Sequence, residues 1–232
     1  MTIEIKTNIP SIPPWKRRLY LPSYTLADSS RYVEISSQVI ANWFYYKGEV
    51  GPALPGKTQR ELLSYYQLIE VAFVSTMRKT MSLQKIRKAR QYAQQVFNVE
   101  YPFAELKWKT EGSHLLLTLK DFNGDGEIDS LISADQSGQE AWATVMAERF
   151  EQFEYERGLA LKWYLRGRDC PISIDPRVSF GAPTIKGLPT WIVKGRHESG
   201  ETLPEISEDF NFDIKDLSYA LEFEGIRPEV AV

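Results

Sequence analysis

The side chains that most often carry catalysis are scarce in this chain. It holds two histidines, His114 and His197, and one cysteine, Cys170. That is too few ligands for a zinc site of the usual kind. A Ser/His/Asp or Cys/His arrangement would have to recruit one of the same histidines from an otherwise structural context. No glycine-rich loop of the Walker or dinucleotide form occurs. Acidic residues are plentiful, yet none forms a pair distinguishable from a solvated helix face. The run Asp121, Asn123, Asp125, Gly126, Ile128 and Asp129 imitates a calcium-binding loop. Its last position is Ile132, where such a loop needs a bidentate glutamate, so the run reads as a hairpin turn. No catalysis, metal or cofactor is expected.

Residues suited to reading a base are better placed. Tyr24 to Val33 has helical spacing with Thr25 or its neighbour as cap, and Ile35-Ser36-Ser37 reads as a turn. A second helix follows from Gln38 to Trp43. Leu26, Ala27, Val33, Ile35, Val39 and Trp43 are expected to share one buried cluster, with small Ala27 and Ser30 letting the helices cross closely. This is helix-turn-helix spacing, in which the second helix presents its first polar residues to a major groove. Ser36, Ser37, Gln38 and Asn42 are therefore the base-reading candidates, since Gln and Asn can pair two-pronged with adenine. The segment Gly48 to Arg60 is rich in glycine and proline and reads as a wing, with Lys47, Lys57 and Arg60 as phosphate contacts. Helices are expected from Glu61 to about Met77 and from Ser82 to near Phe97.

Charge divides the chain in the same place. The net charge is −3, but residues 1–97 carry +8 and the remainder −11. A split of that size suggests that one half meets a polyanion. Arg78 to Arg90 holds six basic residues and no acid, and beside a helix-turn-helix it would add phosphate attraction. Residues 1–21 form an arm with Pro10, Pro13, Pro14 and the basic cluster Trp15-Lys16-Arg17-Arg18. The absence of a signal-peptide pattern, of any apolar run long enough to cross a bilayer, and of paired cysteines points to the cytoplasm.

Past the basic half the pattern turns to strands. His114–Leu119 and Glu127–Ile132 flank the Asn123–Gly126 turn. Gln139 to Phe153 has helical spacing, and Phe153 to Tyr164 reads as a strand pair turning at Arg157-Gly158. From Pro171 the alternation of Ile172, Ile174, Val178, Phe180 and Ile185 is broken by Pro176, Gly181, Pro183 and Gly187. One or two very short strands are expected there. Three short helices follow, one at Trp191 and Ile192, one at Leu203 and Ile206, and one from Asp213 to Leu221. The expected units are an arm (1–21), a winged helix-turn-helix (22–98), a connector of β-hairpin and helix (99–170) and a small C-terminal domain (171–232). The fold class is α+β, the C-terminal domain being itself a small, homeodomain-like helix-turn-helix.

The residues Ile174-Asp175-Pro176, Phe180-Gly181-Ala182-Pro183, Ile185-Lys186-Gly187, Pro189-Thr190 and Ala220-Leu221-Glu222 resemble the bacterial domain-of-unknown-function family numbered four-three-three. The layout around Gly158, Ala160, Trp163 and Tyr164 resembles its long members. Where the family usually has Thr-Arg-Ile between its lysine-glycine and the proline, this chain has only Leu188, so no role of that arginine transfers. Residues 20–97 resemble the MerR class of winged helix-turn-helix, best at Leu63-Ser64-Tyr65 and Ser82–Arg87. Glu34 stands where that class often has glycine. Together these resemblances imply a VapB-type antitoxin: a homodimer that binds operator DNA through its basic half and holds a PIN-domain ribonuclease toxin through its C-terminal domain. Residues 196–232 carry 10 acids against 3 bases, suited to covering a basic RNA-binding groove. A terminal arm of Phe223, Ile226 and Arg227 would enter that groove, Arg227 facing the toxin's metal-binding carboxylates. The alternative is a stand-alone MerR-like transcription regulator whose C-terminal domain serves oligomerisation. No membrane partner is expected.

Overall fold

The computed structural model describes residues 13–45, 51–54, 62–79, 81–104, 148–156 and 159–227. In chain order the helices are α1 (Pro14–Arg18), α2 (Leu26–Val33), α3 (Ser37–Tyr45), α4 (Tyr65–Met77) and α5 (Leu83–Phe97). Strands β1 (Phe153–Glu156), β2 (Leu159–Tyr164), β3 (Ile172–Ile174), β4 (Pro183–Ile185) and β5 (Leu188–Pro189) come next. Helices α6 (Thr190–Glu198), α7 (Leu203–Phe210) and α8 (Ile214–Phe223) close the described chain. Helices and one antiparallel sheet make the fold α+β, as expected.

Helix α4 is the axis of the structure. Each of its residues is buried, which suits its apolar run Leu68–Val74, interrupted only by Glu70. It starts four residues later than Glu61, the expected start. Ser64 caps it and Gln67 answers from inside the first turn, while Leu63 is committed to a bridge with Tyr24. On one side α4 meets α2. On the other the Tyr65 hydroxyl donates to the Leu161 carbonyl at 3.0 Å, and the Phe73 ring stacks on Phe153, which stacks on Trp163. The basic half and the sheet thus share one core.

The sheet is a meander in the order β1-β2-β3-β4-β5. The strand pair expected across Phe153–Tyr164 is β1 and β2, in register Glu156↔Leu159. Position 171, expected to separate connector from C-terminal domain, lies inside this sheet, because β2 pairs with β3 through Trp163↔Ile174. Between Pro171 and Thr190 there are three strands rather than one or two. Lys186 (φ 47°) and Gly187 (φ 89°) both take left-handed backbone and turn β4 directly into β5. That is the two-residue hairpin turn, and it explains the lysine-glycine pair. Helices α6, α7 and α8 form as expected and enclose a second, smaller core around Ile185, Val193, Ile206, Leu217 and Leu221.

Helices α2 and α3 are joined by the turn Glu34–Ser36. Thr25 and Asp28 form the capping box of α2. Of the expected cluster, Val33 and Trp43 are buried and Leu26 and Ile35 are half-buried, but Ala27 is exposed and Val39 is 42% exposed. The physical reason is phase. With Ser36 as the first cap, the inward face of α3 is Ile40, Ala41, Trp43 and Phe44, and Val39 rotates outward. The small residue of α2 that is fully buried is Ser29, rather than Ala27 or Ser30.

Glu34, found in place of the glycine, adopts φ 56°. Left-handed backbone costs a residue with a Cβ roughly 1 kcal/mol. Glu34 also draws the half-buried Arg149 guanidinium electrostatically, but a screened attraction from an exposed carboxylate is worth less. Glu34→Gly is therefore expected to raise stability by about 1 kcal/mol, read as a higher urea midpoint at unchanged slope. A lower midpoint would mean that the charge outweighs the strain.

Candidate interaction surfaces

Among the described residues, two surfaces are candidates for partners. The first is the outer face of α3. Ser36, Ser37, Gln38, Val39 and Asn42 are all exposed, so the base-reading candidates share one side of one helix. Ser36 is partly committed, since its hydroxyl accepts from the Val39 amide at 3.4 Å. Gln38 Nε2 donates to Asn42 Oδ1 at 3.1 Å, one helical turn on. Lys47, Lys57 and Arg60 lie outside the described residues, as do the Asn123–Gly126 hairpin and most of the Gln139–Phe153 helix. Of the wing only Gly51–Leu54 is described. There Ala53 and Leu54 are buried, their amides donating to the Trp43 carbonyl.

The basic stretch Arg78 to Arg90 does not act as one charged face. Arg87 and Arg90 are buried, and Arg90 is paired to Glu70. Arg78, Lys79 and Lys88 remain exposed. The basic cluster of the arm is also divided. Arg18 donates to the Pro176 carbonyl at 3.1 Å and lies over the Phe180 ring at 4.2 Å, so it fastens α1 to the loop after β3. Arg17 is exposed.

The second surface belongs to residues 172–227. Asp175 is buried and orders its loop. It accepts from the Arg177 amide at 2.8 Å and from the Arg177 guanidinium, which also reaches Glu156. These carboxylates hold the Arg177 pKa well above its ordinary value, Asp175 first. Gly181 is required for two reasons. Its φ is 81°, and a Cβ there would sit 2.3 Å from the Tyr24 hydroxyl, which donates to the Gly181 carbonyl at 3.0 Å. The Phe-Gly-Ala-Pro motif is thus a seat for the basic half. A further latch joins the halves. Glu224 accepts from buried Thr190 at 2.5 Å and pairs with Arg31 of α2 at 3.1 Å. Phe223 stacks on Tyr32 with Arg31 over its ring.

Phe223, expected on a free arm, is therefore in the core, only 5% exposed. Ile226 packs against the second core, and its amide donates to the Leu221 carbonyl at 2.9 Å. Of the three arm residues only Arg227 is exposed. What this surface does offer is acid and aromatic rings. Glu198, Glu205, Glu208, Asp209, Asp213 and Glu222 are exposed, and so are Phe180 (77%) and Trp191 (60%). Sequence reasoning missed the two rings because apolar residues in alternation or on a helix are usually core. Lys186 and Arg196 add little positive charge here, being held by Asp213 and Asp216 and by Glu201 and Asp209 respectively.

Three short strands, a lysine-glycine hairpin and three helices occupy the stretch that a family model covers. Residues 172–223 match the DUF433 family. Its description is a protein of unknown function. The DUF433 segment begins at β3 and ends with α8, so it takes in the second core and the Gly181 seat. Over a longer range the chain is 23% identical to a Mycobacterium tuberculosis (strain ATCC 25618 / H37Rv) protein named "Putative antitoxin VapB45", across 88% of this chain and 95% of that one. The crystal structure of Rv2018 from Mycobacterium tuberculosis is similar in fold, with a TM-score of 0.69 and 22% identity over 88% of this chain and 99% of that one. Among the described residues no helix is long and apolar enough to cross a membrane.

Proposed function

We propose that this protein is the antitoxin of a toxin–antitoxin pair. It binds its toxin, a PIN-domain ribonuclease, through the DUF433 segment, and represses its own operon as a homodimer through α2 and α3. The observation that carries this reading is the similarity to the VapB45 protein along nearly the whole of both chains, which takes in the basic half as well as the DUF433 segment. Surface chemistry supports the division of labour. The α3 face presents a hydroxyl and two amides, groups that can read base edges in a major groove. The C-terminal surface is acidic, matching a groove that binds RNA.

Co-purification with the product of the adjacent reading frame, followed by a ribonuclease assay, tests it. A stable and inactive complex is the expected result; free, active nuclease in the presence of excess protein would end the antitoxin reading. Trp191 is the expected anchor, because buried tryptophans dominate interface energies. Trp191→Ala should weaken the complex by roughly 30-fold or more while leaving thermal stability unchanged, the ring being 60% exposed. Equal affinities for wild type and variant would place the contact elsewhere.

One observation favours the second reading, a stand-alone regulator. The Phe223–Tyr32 stack and the Arg31–Glu224 pair use the C-terminal helices to brace α2. A protein that binds DNA and leaves its neighbour's product alone would fit that role.

A further inference from the structure

The side-chain chemistry of α3 fits some base edges and not others. Guanine is read in the major groove by arginine or lysine, and cytosine by a carboxylate. Helix α3, SQVIANWFY, contains none of these. Its outward face presents a serine hydroxyl, two amides and the branched methyls of Val39, left 42% exposed one residue after Gln38. The amides are already coupled. Because Gln38 Nε2–H donates to Asn42 Oδ1, Gln38 Oε1 is left as an acceptor and Asn42 Nδ2 as a donor. Adenine offers the complement, an N6–H₂ donor beside an N7 acceptor. An apolar side chain next to that pair matches the C5-methyl of thymine, the one apolar group on a base edge in the major groove.

We propose that α3 reads an A·T step: Gln38 and Asn42 together take one adenine by its N6 and N7, and Val39 packs on a thymine methyl. This rests on the DNA-binding part of the function proposed above. It makes Val39 a specificity residue, and it explains why a β-branched residue faces water on a helix whose opposite face is fully packed.

The test uses the full chain and a pool of random duplexes, selected for binding at one fixed salt concentration. The enriched site is then remade with each thymine replaced in turn by deoxyuridine, which lacks only the methyl, and each adenine by 7-deazaadenine, which lacks N7. Wild type should lose about five- to tenfold in affinity at one deoxyuridine position and at one 7-deazaadenine position. Val39→Ala should be indifferent to that deoxyuridine, and Asn42→Ala to that 7-deazaadenine, each keeping the other sensitivity. Circular dichroism of both variants excludes misfolding. A selected site at which every substitution is tolerated overturns this inference and leaves DNA binding standing. A pool that yields no enriched site overturns DNA binding itself, and this inference with it.

Discussion

Glu70→Ala is expected to remove about 3–5 kcal/mol of stability, enough to leave much of the chain unfolded given totals of roughly 5–15 kcal/mol. Glu70 sits on α4 with its side chain 2% exposed, and Arg90 of α5 meets it at 2.5 Å with its own side chain 4% exposed. The other carboxylate oxygen accepts from the Phe103 amide at 2.8 Å, and Arg90 also donates to the Glu100 carbonyl at 2.9 Å. One carboxylate thus ties α4, α5 and the turn after α5. Removing it leaves a guanidinium without its anion in low dielectric and an amide without its acceptor. Both are desolvation penalties, and neither is screened. The pair as a whole contributes much less, because its own desolvation offsets most of its attraction. Glu70→Met with Arg90→Met should therefore recover most of the loss, the remainder being about 1–3 kcal/mol for the orphaned Phe103 amide. Urea unfolding of both variants measures this. A single variant within 1 kcal/mol of wild type, on the order of an exposed pair, would show that water reaches Arg90.

What the amino-acid sequence reveals here follows the range of the forces involved. Local signals read well. Thr25 caps the helix it was expected to cap, the helix expected from Ser82 begins at Leu83 with Ser82 as its cap, β1 and β2 pair antiparallel as expected, and three helices fill the C-terminal stretch. Each depends on a few residues in sequence. Val39 was misplaced because alternation between faces of a short helix depends on phase, and the cap at Ser36 sets a phase that composition does not reveal. Gly181 and Phe223 were beyond reach for another reason. Gly181 meets Tyr24, and Phe223 meets Tyr32, both far away in the chain, and neither contact has a local signature. The same holds for Arg90, which reads as one charge among six until Glu70 is seen opposite. Trp191 and Phe180 are the reverse case: apolar patterning alone does not say that such rings face water, and the fold leaves both outside, which is what marks them as candidates for a partner.

Alkaline unfolding is expected to be unusually steep and to begin near pH 10. Tyr24, Tyr65 and Tyr155 are raised well above the ordinary phenol value, burial being the largest cause in each, and Tyr32 is pushed up to about 12 by the same cause. The sign follows from which state holds the protons. Above pH 10 these phenols ionise in the unfolded chain but stay protonated in the native one, so the native state binds more protons and stability falls as pH rises. Below pH 10 they are protonated in both states and the slope vanishes. Each contributes about 1.4 kcal/mol per pH unit, so the four together remove roughly 5 kcal/mol per unit between pH 10 and 12. A domain of ordinary stability is exhausted within about two units. Tyrosinate absorbance and circular dichroism should then change together, because these phenols ionise only by unfolding. Tyr65→Phe separates the two contributions of one residue. It forfeits the hydrogen bond to the Leu161 carbonyl, about 1 kcal/mol, and so lowers stability at pH 7. It also removes one of the four titrating groups, and its stability should fall about a quarter less steeply above pH 10. A urea midpoint that stays level to pH 12, or phenols that ionise before the helical signal is lost, would mean that water reaches these rings in the native state.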